Sequence, residues 1–564
     1  MNLITKNTLS LFLLGVSFIW FIEPYSGDMI QASSMALLAG LGLCLSNIDK
    51  NNFQFRVSHL SIICLLIIIV FDLMTHRSSF GASLLPILSA LVCVFLLLLN
   101  KNEIPIKNVA WLLAISASLA AIFTWLCYIF GNLTILGRTY LIIIDGVASG
   151  PLQQRNLFST HLLLGIASLS YLKHAGLNRA RWLGGLLLMA PMLALTQSRT
   201  GLVNIIVLLL LCIWFWYKKI VIYIPLVYAC VAMFFAQLLT KPIFSLFGMS
   251  LGSAAERMTH DGGLSIQLRL DASFRALQSF VEHPLLGSGF GNFAWQDFQI
   301  RSLGEYSYPN FVPLFSHSHN IISQFLAEGG VFGGMAVLIL LGIFFYHIWT
   351  VDNEKSAFSI LGLAILWIHS QLEYPLWYMN FMLIFFIFYK QIDKGKTYQL
   401  HSKIFMPLCK LSVLIIVFGV LHFNYNILRL DRANLLHTSG KLNEAYELAS
   451  NVTLLGGAAT PYAYRIILNM ARPGISIDTN QRMSLISEKV LHWKADDFVA
   501  YYHANWLASI GKMTEAKQQF NKAATVYPEK LVPFITSLKG TKEKSTLDQQ
   551  EFLNWVIQQC GTRC

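Results

Sequence analysis

Apolar runs near the length of about 20 residues that a bilayer-crossing helix needs recur along this chain from residue 8 to residue 423, with the basic residues gathered in the short segments between them. A chain built this way cannot fold around one soluble core, because each run must be covered by lipid or by another run. Inside lipid the backbone has to satisfy its own hydrogen bonds, so the runs are predicted to be helices. They fall near 8–22, 29–47, 57–74, 79–99, 108–131, 157–173, 183–197, 200–217, 220–240, 316–349, 356–371, 374–390 and 404–423, about thirteen transmembrane helices in all. The expected class is an all-α polytopic membrane protein.

With the N-terminus inside, Lys6, Lys50, Arg56, Lys101, Lys107, Lys173, Arg179, Arg181, Lys218, Lys219, Lys355, Lys390, Lys394, Lys396 and Lys403 face the cytoplasm, while the short outer loops keep Arg77, Arg138, Arg155 and Arg199. This asymmetry sets the orientation. It also accounts for the net charge of +12, which lies in loops rather than in an aromatic-interleaved patch, so no nucleic-acid partner is expected. The first span has no small-residue cleavage site after it and reads as a retained helix. Cys44, Cys64, Cys93, Cys127, Cys212, Cys230 and Cys409 lie in apolar spans as small buried hydrophobes, which leaves Cys560 and Cys564 as the pair able to bridge.

Four regions follow: residues 1–240 with nine spans, an outer loop over 241–315 rich in Gly, Ser and Arg, residues 316–423 with four spans, and a soluble helical domain over 424–564. In the last, Gly511, Ala516, Phe520, Ala523 and Pro528 have the offsets of a tetratricopeptide hairpin, and Gly440, Ala445 and Ala449 repeat part of them. A generic helical domain fits the same residues.

Polar residues that are costly to keep near lipid collect on the outer side. Gln153, Gln154, Arg155 and Asn156 open the sixth helix; Gln197, Ser198 and Arg199 turn between the seventh and eighth; His317, His319 and Asn320 begin the tenth; His369, Glu373 and Tyr374 end the eleventh. Singly, each has a plain structural reading: Arg155 and Arg199 as interfacial anchors, Glu373 as a cap or an arginine's partner, Gly330 and Gly333 as sites of close helix packing. Their common depth points to chemistry. Arginine forks match phosphate oxygens, and Arg155, Arg199, Arg269 and Arg275 all face outward. Arg269 and Arg275, six apart, do not share a helix face, so one is expected to bind a donor while the other pairs structurally, Asp271 being the nearest acid. A histidine, His319, is placed to take a proton from an incoming hydroxyl. The scheme needs neither metal nor cofactor, since arginine can stabilise a leaving diphosphate.

The run His319-Asn320, nine residues, Gly330, two residues, Gly333, preceded by Glu282-His283-Pro284-Leu285-Leu286-Gly287-Ser288-Gly289-Phe290-Gly291, resembles the signature of the O-antigen ligase superfamily. Within it, Gln153-Gln154-Arg155-Asn156 and the segment from His369 to Leu376, with the outer helical domain, resemble the protein O-oligosaccharyltransferases of the PglL kind. The resemblance covers roughly residues 140–530 and implies a GT-C-like glycosyltransferase. Its donor would be an undecaprenyl-pyrophosphate glycan at the periplasmic face of a Gram-negative inner membrane, and its acceptor a Ser or Thr hydroxyl of a periplasmic, pilin-like protein. By motif, His319 is the implied base and Arg199 with Arg269 or Arg275 the pyrophosphate ligands; the transfer would invert the sugar carbon. Ligases acting on lipid A-core share the histidine motif and the arginines, and O-antigen polymerases share the general architecture, so both stay open as alternatives. A non-enzymatic lipid or glycan transporter is the reading from another class, but paired broken helices in internal repeats are not seen.

Overall fold

The computed structural model describes residues 3–22, 30–47, 53–75, 84–100, 104–135, 138–246, 262–304, 314–393, 398–400, 402–455, 457–471, 479–541 and 545–560. Every apolar run carries a helix: α1 (Leu3–Ser17), α2 (Ile30–Asn47), α3 (Ser58–Thr75), α4 (Leu85–Leu99), α5 (Ile106–Phe130), α6 (Arg155–His174), α7 (Arg179–Leu195), α8 (Arg199–Tyr217) and α9 (Tyr223–Leu246). Two helices of the 241–315 loop follow, α10 (Gly262–Glu282) and α11 (Phe293–Arg301), then α12 (Ile321–Thr350), α13 (Glu354–Ser370), α14 (Met379–Ile392) and α15 (Ser402–Thr438). Among the described residues, 6 helices are long and apolar enough to cross a membrane: α3, α5, α8, α9, α12 and the part of α15 from Phe405. Apolar stretches of α1, α2, α4 and α14 are shorter. The protein is a multi-pass membrane protein.

Helix α6 falls outside that set for a physical reason. From Leu157 to Leu172 every residue of α6 is buried, including Ser159, Thr160, His161, Ser168 and Ser170. α6 packs against α5, α7, α8, α9 and α13, so protein rather than lipid surrounds it and polar side chains can be kept by pairing inside the bundle. The lipid-facing side is carried by α5, α8, α9 and α15, where Leu119, Ile206, Leu210, Phe234, Phe235, Leu238, Leu414 and Phe418 are exposed.

Three boundaries differ from the sequence reading. The tenth apolar run was expected to be helical from 316, but its helix starts at Ile321, because Asn320 caps it: its side-chain oxygen accepts from the backbone N–H groups of Ile322 at 3.0 Å and Ser323 at 3.1 Å. The boundary at 424 falls inside α15, which continues to Thr438. Hydropathy drops at Asn424, yet no breaker follows until Gly440, whose φ of 82° ends the helix; meanwhile Ile427, Leu430 and Ala433 are fully buried against the C-terminal core. The loop over 241–315 is, in its described part, largely helix.

The C-terminal domain adds α16 (Leu442–Leu455), α17 (Thr460–Met470), α18 (Asn480–Trp493), α19 (Asp497–Ser509), α20 (Met513–Val526), α21 (Leu531–Gly540) and α22 (Leu547–Cys560). Consecutive helices pack as antiparallel pairs, α15 with α16 and α19 with α20 among them. Gly440 and Gly511 take φ of 82° and 78° at the turns, and Ala445, Ala449, Ala516, Phe520 and Ala523 are buried between the helices. Helix α11 bolts this domain to the membrane part: the Trp295 and His492 rings lie 4.1 Å apart, and Lys522 donates to Gln299 at 2.7 Å. Cys560 ends α22, and Cys564 lies outside the described residues; the seven cysteines in the apolar spans are free thiols.

At one end of the bundle, Phe53–Phe55 pairs antiparallel with Tyr398–Leu400. There Arg56 donates to the carbonyls of Lys390 at 2.9 Å and Asp393 at 2.7 Å. Glu373 and Tyr374 precede α14 while Lys390 sits in its last turn, so the candidate site is at the opposite end from this basic cluster.

Candidate active site

Three chain segments distant in sequence converge on Glu373. Asn156, in the first turn of α6, donates to its Oε1 at 3.0 Å; Arg269, from α10, forms an ion pair with the same oxygen; and His319, just before α12, places Nε2 3.7 Å from Oε2. Arg155 also acts on the carboxylate electrostatically. Around this centre, Ser198 donates to Asn156 at 2.7 Å, Asn320 donates to Gln371 at 2.9 Å, and Thr160 and His369 Nδ1 are hydrogen-bonded at 2.7 Å. The shared depth expected from sequence is thus a real cluster for Arg269, Asn156, His319, Asn320 and Glu373.

The backbone around it is strained in a consistent way. Gln153, Gln197 and His319 have φ of 53°, 49° and 59°, a left-handed conformation that costs a non-glycine residue about 1–3 kcal/mol unless its surroundings hold it. Each precedes a helix at the site: α6, α8 and α12. What holds them is visible next door. Gln154 caps α6 by accepting from Leu157 N–H at 2.6 Å, Ser198 caps α8 by accepting from Gly201 N–H at 3.1 Å, and Asn320 caps α12. Gln153 also donates to the Phe21 carbonyl at 2.9 Å. Helix N-termini carry positive partial charge and are suited to anions, and those of α6 and α8 additionally begin with Arg155 and Arg199.

His319 is mostly enclosed. Its ring lies edge-on to Phe315 at 4.7 Å and to Tyr374 at 5.7 Å. Burial first, then the Arg269 cation, pushes the imidazole down to about 4, so at neutral pH it is unprotonated, the form a general base requires. Nδ1 is buried, which leaves Nε2, on the Glu373 side, as the nitrogen for a proton. Burial lifts the Glu373 carboxyl above its ordinary range, with Arg269, Asn156 and Arg155 acting against that shift. His317 does not join the cluster: it packs against Tyr374 at 4.3 Å and Trp377 at 4.7 Å.

Arg275 corrects one expectation. Its guanidinium is completely buried and paired with Asp297 of α11, also completely buried, rather than with Asp271. Six residues on α10 turn Arg275 away from the face that carries Arg269, so it fastens α10 to α11 and is not available to a donor. His369, buried in α13, likewise joins α13 to α6.

Gly330 has a different task from the helix packing expected of it. Its φ of 59° and ψ of −149° break α12, in a region open essentially only to glycine. Into the break fits the loop after α10: Val331 N–H donates to the Pro284 carbonyl at 2.8 Å, Ser288 N–H to Ala327 at 2.8 Å and Gly289 N–H to Glu328 at 3.0 Å. A Cβ on Gly330 would lie 2.4 Å from the Leu285 carbonyl oxygen, and one on Gly333 would lie 2.1 Å from that of Phe325 across the break. Two buried acids that the sequence reading passed over complete the clasp. Glu328 accepts from Gly291 N–H at 3.1 Å and Phe293 N–H at 3.2 Å, and Asp72 accepts from Phe290 N–H at 2.9 Å. An acid inside an apolar span was the signal that could have found them.

Beside the cluster a cavity of about 630 Å³ runs from His317 and Tyr374, between membrane helices that include α2, α4, α12 and α14, to Tyr462, His492 and Trp493 of the C-terminal domain. Its described lining is mainly apolar and includes no lysine or arginine. No group of three or more His, Cys, Asp or Glu with metal-holding geometry occurs among the described residues.

Comparison with known families fits this geometry. The O-antigen ligase family profile matches residues 184–354, the stretch that carries Arg199, Arg269, His319 and the clasped loop. In these residues the chain is similar to O-antigen ligases. Residues 358–534 match the profile "Virulence factor membrane-bound polymerase, C-terminal", which joins Glu373 to the C-terminal domain. Across 390 residues, 64% of this chain and 67% of the relative, the protein is 23% identical to a "ComP-specific O-oligosaccharyltransferase" of Acinetobacter baylyi. With both profiles, this makes the chain similar to PglL-like O-oligosaccharyltransferases of the O-antigen ligase superfamily.

Proposed function

We propose that the protein is an O-oligosaccharyltransferase that moves a glycan en bloc from undecaprenyl pyrophosphate to a Ser or Thr hydroxyl of a periplasmic protein. The observation that carries this reading is the convergence on the Glu373 carboxylate of a neutral histidine and an arginine that both lie in the stretch similar to O-antigen ligases. Protein rather than lipid A-core is favoured as acceptor by the similarity to the Acinetobacter baylyi enzyme. A C-terminal domain of helical hairpins, tetratricopeptide-like in its spacing, gives a polypeptide a surface to rest on.

In this mechanism His319 Nε2 takes the acceptor's hydroxyl proton as its oxygen attacks the sugar carbon. The bond from that carbon to the diphosphate oxygen breaks on the far side, inverting the centre, and the electron pair leaves with the diphosphate. Arg269, with Arg199 and Arg155 at the α8 and α6 N-termini, carries the charge that develops. The cation-poor cavity offers nothing to a diphosphate. It suits the acceptor, whose apolar side chains would lie along it with the hydroxyl at its His317 end.

The test is expression in a host that assembles a lipid-linked glycan but lacks its own ligase, together with a co-expressed pilin. Wild type should glycosylate the pilin, whereas His319→Ala and His319→Asn should not while remaining in the membrane. Asn is the sharper variant, because it tolerates the left-handed backbone that His319 adopts. Glycan on lipopolysaccharide alone would overturn the reading.

A further inference from the structure

We propose that Glu373 is a positioning residue that couples donor binding to the base: with no donor it holds Arg269, and when a diphosphate takes Arg269 the carboxylate is handed to His319. The proposal rests on the function above and on how the two carboxylate oxygens are used. Oε1 is occupied by Arg269 and Asn156. Oε2 faces His319 Nε2 at 3.7 Å, close enough to act on its charge without a hydrogen bond, so Nε2 stays open to the acceptor hydroxyl.

Arg269 is the arginine free to leave. It is 30% exposed, whereas Arg275 is locked inside the fold. A diphosphate carries more negative charge than one carboxylate and can take the guanidinium fork in a bidentate way. Once Arg269 turns to it, His319 loses a neighbouring cation and gains a carboxylate that is no longer paired with Arg269. Both changes favour the imidazolium that forms when the acceptor hydroxyl gives up its proton.

The other groups facing this centre do not replace Glu373. His317 lies against Tyr374 and Trp377 and His369 against Thr160. Arg155 and Arg199 are cations at helix N-termini and bring no carboxylate to His319. The consequence is ordered chemistry: the base gains strength only with a donor in place. The step balances, with the hydroxyl proton going to Nε2, the new bond formed between the hydroxyl oxygen and the sugar carbon, and the old electron pair departing with the diphosphate.

The experiment compares wild type, Glu373→Gln and Glu373→Asp as purified full-length proteins, with lipid-linked glycan and a pilin acceptor over a pH series. The acid limb of kcat reports His319 with donor bound, and that of kcat/KM for donor reports free enzyme. In wild type the kcat limb should lie at the higher pH. In Glu373→Gln the kcat limb should move to lower pH and merge with the kcat/KM limb. Its plateau should fall by about tenfold or more, with donor KM unchanged or lower, since Arg269 no longer leaves a charged partner. Glu373→Asp should recover part of the separation. Coincident limbs in wild type, an unchanged limb and plateau in Glu373→Gln, or a loss confined to donor KM would each overturn the coupling. Retained transfer by His319→Asn, measured alongside, would instead overturn the function on which it rests.

Discussion

Gly330→Ala should damage this protein in a way that an equally conservative change twelve positions on, Gly342→Ala in the same helix, should not. An alanine Cβ at 330 would sit 2.4 Å from the Leu285 oxygen, 2.5 Å from the Leu285 carbon and 2.6 Å from the Gly287 nitrogen. All three are backbone atoms, so no side chain can rotate to make room. The cheaper escape is for the 284–289 loop to leave the break in α12. That forfeits the bonds from Val331 to Pro284, Ser288 to Ala327 and Gly289 to Glu328, at about 1 kcal/mol each, or about 3 kcal/mol together. Gly342 has nothing within 4 Å of its added Cβ, and alanine there should be neutral or stabilising by about 0.5–1 kcal/mol. Denaturant unfolding in detergent, with limited proteolysis of the 284–291 segment, measures both variants. Equal stability within about 0.5 kcal/mol, with the loop equally protected, would refute the claim that the break in α12 exists to seat the loop.

Arg275→Ala leaves Asp297 buried without its cation and should cost about 3–5 kcal/mol of stability, read as a lower detergent melting temperature, while the protein that does fold keeps its donor KM. Asn320→Ala removes the cap of α12 and should cost about 1 kcal/mol, with a larger fall in transfer than in melting temperature because His319 is the next residue. Trp493→Ala and Tyr462→Ala, at the domain end of the cavity, should raise the acceptor KM and leave the donor KM alone; a change in donor KM would put the acceptor on the wrong side of His319.

The histidine motif, the apolar runs and the charge asymmetry were legible in one dimension because each follows from composition or spacing. The pairing of charges was not. Arg269 and Arg275 look interchangeable until the helix that carries them is docked, when one faces Glu373 and the other Asp297. The gathering of Asn156, Arg269, His319 and Glu373 spans separations of up to 217 residues, which no local rule anticipates. Asp72 and Glu328 went unnoticed because their partners are backbone N–H groups of a distant loop.

Alone, the sequence determined that this is a many-helix membrane protein with clusters of polar residues near helix ends, since lipid admits little else for such a chain. Tertiary structure decided which of those residues meet. It also decided that α6 can be polar, that α15 runs through an apparent domain boundary, and that Gly330 admits a loop rather than a helix. Those outcomes depend on what lies beside each residue in space, and a buried charge or an open backbone group is settled by its neighbours across the fold.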